Sequence, residues 1–70
     1  MNELQFFHNL SVKTGILIEI LLDLYKDDKL WDLIRGEKHD DAIAYIQSIR
    51  PRTGAKEAQM IVQAFADAIK

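Results

Sequence analysis

The sequence predicts an all-α fold: a compact bundle of about four to five short helices, with no β-sheet, over residues 1–70 as a single domain. Three observations carry this. Apolar residues recur at helical rather than alternating spacing. No run has the β-branched alternation that marks a strand between turns. Gly15, Gly36 and Gly54, with Pro51 beside the last, cut the chain into segments of helical length.

The first segment predicts a helix over residues 3–9, capped by Asn2, with Leu4, Phe7 and Phe6 facing inward and Ser11 to Gly15 breaking it. Residues 16–27 predict a central helix. Its polar positions, Glu19, Asp23, Lys26 and Asp27, form one narrow stripe, so the rest of its surface is expected to be buried or paired. Asp28 is the expected cap of the next turns, which carry Leu30, Trp31, Leu33 and Ile34 and stop at Gly36; the spacing leaves open whether they continue the central helix. Asp40 or Asp41 caps a helix running to about Arg50, with Ala42, Ile43, Ile46 and Ile49 as its inner stripe. Pro51 disfavours helical geometry at Arg50 and ends it. Thr53 is the expected cap of the last helix, residues 55–69, which turns Ala58, Ile61, Val62, Phe65 and Ile69 inward, with Met60, Ala64 and Ala68 as a milder apolar edge. Ile20, Leu21, Leu24, Ile46, Ile61 and Phe65 are expected to share one core. Two Thr-Gly steps, at Thr14-Gly15 and Thr53-Gly54, would suit an ancient duplication, but the helices after them do not align.

Composition narrows the function. With 49% hydrophobic and 29% charged residues, the chain is too apolar for intrinsic disorder and too charged for a membrane span. The apolar run from Ile16 to Tyr25 is interrupted by Glu19 and Asp23 and is half the length of about 20 residues that a span needs. No stretch reads as a secretory signal, so a cytoplasmic location with no membrane partner is expected. The absence of cysteine excludes disulfides, thiolate metal sites and cysteine nucleophiles. A domain this short buries only about 60% of its chain surface, yet the central helix is apolar almost all round. Some of that surface is expected to meet a partner, and a homodimer is the simplest one.

No motif predicts catalysis, a metal or a cofactor. Adjacent pairs Asp27-Asp28 and Asp40-Asp41 point about 100° apart on a helix and cannot share a proton; at helix boundaries they cap amides. His8 and His39 are far apart, with no second ligand cluster. Ser11 and Ser48 have no flanking glycines, and the Thr-Gly steps lack the spacing of a phosphate loop.

Arg50, Arg52 and Lys56 are the one basic cluster, placed where a helix start already favours an anion. Three charges in a chain of net charge −2 argue against nucleic acid, whose readers carry a strong basic excess. They suit a partner's carboxylates better. Tyr45 precedes the inward Ile46 and so points off the core stripe; with Trp31, if exposed, it is the expected planar anchor.

In order along the chain, Ile46, Ile49, Arg50, Thr53, Gly54, Lys56, Glu57, Ala58 and Val62 match a pattern of the bacterial ribosomal stalk protein's C-terminal domain. Residues 36–64 resemble that family's helical hairpin. The loop is two residues shorter, Pro51 enters the turn, and Gln47 and Gln59 stand where the family has surface lysines that help engage translation GTPases. The strands that back the hairpin in that family have no counterpart in residues 1–35. The resemblance implies hairpin geometry and docking onto larger proteins.

Together these readings predict a small non-catalytic protein–protein interaction module. It would bind a larger protein through a helical face and regulate or inhibit it, with Tyr45, Arg50, Arg52, Lys56 and Trp31 at the contact. The alternatives are a nucleic-acid-associated regulator using the turn from Arg50 to Lys56, and a structural homodimer subunit.

Overall fold

A computed structural model describes residues 3–69. These form five helices and no strand: α1 (Glu3–Thr14), α2 (Ile18–Tyr25), α3 (Asp28–Arg35), α4 (His39–Ile49) and α5 (Ala55–Ala68). The proposed Asn2 cap lies outside the described residues. None of the described helices is long and apolar enough to cross a membrane.

α1 runs through Ser11 instead of breaking there. The Thr14 hydroxyl donates back to the Leu10 carbonyl (2.8 Å) and accepts from the Ile16 amide (3.2 Å), and the Ser11 hydroxyl donates to the Ile16 carbonyl. The polar side chains that looked like breakers thus tie off the turn. Gly15 ends the helix at φ +72°, a conformation glycine adopts without steric cost, with its amide on the Ser11 carbonyl. Extended this way, α1 buries Phe7 and Leu10, while Leu4 in its first turn is 68% exposed.

α3 is a separate helix. Its cap is Asp27, one residue before the expected Asp28: the Asp27 Oδ1 accepts from the Leu30 amide at 3.1 Å. At its other end Gly36 takes an ordinary φ of −81°, and Glu37 adopts the left-handed φ of 59°. The Glu37 and Lys38 amides then bond the Ile34 and Leu33 carbonyls, closing a Schellman turn. The Lys38 carbonyl in turn accepts from Ala42, so the backbone of Lys38 ends α3 and begins α4. That leaves no capping position for Asp40 or Asp41, which sit in the first turn of α4 and meet its dipole.

Every helix contributes buried residues to one hydrophobic core. α5 packs against α1, α3 and α4, so the last helix, not residues 16–27, is the central element. Leu21, Leu24, Ile46, Ile61 and Phe65 are fully or almost fully buried as expected; Ile20 is half-buried. Ala66, not Ile69, completes the inner stripe of α5, and Ile69 is exposed. The core is aromatic at its heart. Trp31 stacks on Phe65 with ring centroids 5.3 Å apart, Tyr25 meets both edge-on, and Phe6 and Phe7 complete the cluster. Trp31 is 7% exposed and its indole N–H donates to the Tyr25 carbonyl at 2.6 Å, which satisfies its one polar atom. Tyr45 alone among the aromatic residues stands outside the cluster.

Candidate interaction cleft

The linker between α4 and α5 is a tight turn. Arg50 is extended (φ −132°, ψ 76°), as the residue before a proline prefers, and the Thr53 amide donates to the Arg50 carbonyl at 2.9 Å. Pro51 follows Arg50 with its ring on the outside, and Arg52 is exposed. Helix α5 starts at Gly54, not at a Thr53 cap. Glu57, at the third helical position, folds back over that start: a β-carbon on Gly54 would lie 2.6 Å from its Oε2. The amides that could have met a phosphate therefore already face a carboxylate.

This turn lies beside the one between α1 and α2. The two Thr-Gly steps, noted only as a possible repeat, line one cleft of about 490 Å³ with Ile16, Leu17, Ile20, Arg52 and Glu57. A second cleft of about 340 Å³ opens beside it, lined by Ile20, Ile49, Arg50, Pro51, Arg52 and Thr53. Ile20, Arg52 and Thr53 border both, so the two form one trough. Its surface is apolar and wet: Leu17 is 66% and Ile49 41% exposed. The other helices do not wrap the Ile16–Asp27 segment completely: α2 packs mainly on α1 and α3 and leaves Ile20 facing the trough.

The residues singled out in sequence part company. Arg50 and Arg52 meet in the trough. Lys56 is exposed on the first turn of α5 and does not line it. Trp31 is a core residue and offers no anchor. Tyr45 is half-buried, and its hydroxyl donates to the Asp27 Oδ2 at 2.7 Å, with the Lys29 ammonium 5.4 Å from its ring centroid. Its hydroxyl is held above the ordinary phenol pKa of 10.0, first by that hydrogen bond, then by partial desolvation and by the Asp27 charge.

The polar stripe predicted at Glu19, Asp23, Lys26 and Asp27 is also partly engaged. Asp27 holds Tyr45, and Asp23 pairs with Arg50 at 3.4 Å. Sequence reasoning missed Leu17, Ile20, Ile49 and Pro51 as the trough's apolar lining. Their signal was present: an apolar residue follows one Thr-Gly step, and Ile-Arg-Pro-Arg precedes the other. Among the described residues no three histidine or carboxylate side chains converge as a metal site.

Fold and trough define a five-helix all-α unit with an open apolar cleft between two turns. Compared with protein-family models, curated proteins and solved structures, the chain matches none.

Proposed function

We propose that this protein is a small non-catalytic interaction module that docks onto a larger protein through the trough between the α1–α2 and α4–α5 turns, and regulates or inhibits that protein. The observation that carries the reading is the pairing of exposed aliphatic surface at Leu17 and Ile49 with the unpaired guanidinium of Arg52, which makes no ion pair with any described residue. Apolar surface flanked by arginine is the composition of an interface centre and its rim. Most of the hairpin α4–α5 also lies in the stretch, residues 36–64, that resembles the ribosomal stalk domain, a family that docks onto larger proteins.

The test is capture from the source cell with wild type beside Ile49→Lys, followed by binding and activity assays on the purified partner. The expected result is a partner whose activity changes on binding and whose affinity falls about tenfold or more with Ile49→Lys, a loss of ~1.4 kcal/mol. A partner that binds Ile49→Lys and Arg52→Glu as tightly as wild type would refute the assignment.

A homodimer is favoured by a different face. Val12 is 70% exposed on α1, and the same helix walls a groove of about 360 Å³ with α5, lined by Leu10, Lys13, Met60 and Ala64. Sedimentation equilibrium separates the readings: a dimer that Val12→Glu dissociates supports this second face.

A further inference from the structure

We propose that the occupant of the trough is an extended protein segment with a bulky apolar anchor flanked by carboxylates, and that these carboxylates bind Arg52 and draw Arg50 away from Asp23. This rests on the interaction reading above and specifies the chemistry of the partner.

Shape argues for an extended segment. The trough is two adjoining clefts that share Ile20, Arg52 and Thr53, so a chain laid along it can place side chains in each. Its lining supplies apolar contact at Leu17, Ile20, Ile49 and Pro51.

Charge argues for acid at one end. Both arginines border the Ile49–Pro51 half, while Glu57 borders the other. A carboxylate over the first half meets two guanidinium groups; over the second it meets only Arg52, opposed by the Glu57 carboxylate. Basic segments are repelled from the first half.

The Arg50–Asp23 pair makes the recognition exchangeable. It is a single 3.4 Å contact between two exposed side chains, the kind of surface pair that contributes little and breaks readily. A partner carboxylate that also gains apolar contact can replace Asp23 at Arg50. In the free protein Asp23 therefore acts as an internal competitor.

The probe is a phage-displayed library of random dodecapeptides, selected on the folded wild-type chain and counter-selected on Ile49→Lys. The expected cleft-dependent peptides combine Leu, Ile, Phe or Trp with neighbouring Asp or Glu. Synthetic copies should lose about tenfold or more in affinity with Arg52→Glu, and less with Arg52→Gln. Replacing their carboxylates by amides should cost a similar factor. Asp23→Asn should tighten binding about two- to fivefold, since it removes the competitor.

Circular dichroism of each variant confirms that the helices are intact. Cleft-dependent peptides that are neutral or basic would overturn this inference and leave the interaction reading standing. A selection with no peptides sensitive to Ile49→Lys would overturn both. Oligothymidylate that displaces the peptides and itself binds with steep salt dependence would overturn the inference in favour of a nucleic-acid partner.

Discussion

Phe65→Ala should come close to unfolding the protein. Phe65 is fully buried, and its ring touches Trp31, Tyr25 and Phe6, so truncation empties the point where α1, α3 and α5 meet. Phe-to-Ala changes in cores cost about 3–5 kcal/mol. Each aromatic contact adds about 0.5–1.5 kcal/mol beyond its area, which places this site at the upper end. Against that stands the whole stability of a chain of 70 residues, about 3.5–10 kcal/mol at roughly 0.05–0.15 kcal/mol per residue. A loss of 4–5 kcal/mol lowers Tm by about 15–40 °C at ~4–8 °C per kcal/mol.

The assay is thermal unfolding followed by circular dichroism and by Trp31 emission, which reports on the stacked ring itself. Phe65→Leu, which keeps most of the volume, should cost less than about 1.5–2 kcal/mol and still fold. Val12→Ala, on exposed surface, should stay within ~0.5 kcal/mol of wild type. An unchanged melting curve for Phe65→Ala would refute the packing described above, and with it the central position of α5.

Glu37→Gly should stabilise the protein by up to about 1 kcal/mol, because it relieves a left-handed backbone at a non-glycine residue; denaturant unfolding measures it. Asp27→Ala should cost about 1–2 kcal/mol through the lost cap on α3, whereas Asp28→Ala should cost less than ~0.5 kcal/mol; urea midpoints of the two variants decide which aspartate is the cap. Tyr45 is raised above its unfolded pKa, so its contribution is fully present below about pH 10 and fades as pH rises through the folded value. The stability gap between wild type and Tyr45→Phe should therefore close in alkali, and ultraviolet titration should show one tyrosine ionising above the usual range that is lost in the variant.

The number and order of helices were legible because the apolar period and the glycines are local signals. Their ends were not, because side chains there have several competing uses. Ser11 and Thr14 read as breakers but bond within the last turn of α1 and to Ile16. Gly36 read as the stop of its helix, yet the left-handed residue of the Schellman turn is Glu37. Asp27 read as one polar position of the central helix, with Asp28 as the cap, yet its two oxygens are divided between Leu30 and Tyr45.

The candidate site was half legible. Arg50 and Arg52 stand together in the sequence and in the trough. Leu17 and Ile20 reach it only because α1 packs on both α2 and α5, bringing together turns that lie far apart along the chain. Tyr45 points off the core stripe as its position requires, but its hydroxyl is engaged by Asp27, the cap of α3.

The trough also ties occupancy to the survival of the fold. Its walls come from residues 14–20 and 49–57, and neither wall alone presents the lining. An excised segment of the chain has half a site, and the unfolded chain has none. Whatever settles there binds only the folded state, so mass action adds about 2.7 kcal/mol of stability at roughly a hundred times its Kd. For so small a protein that is a sizeable fraction of the total. In a cell that degrades unfolded chains, the amount of this protein would then follow the amount of any occupant of the trough, and the unbound excess would be the first to disappear.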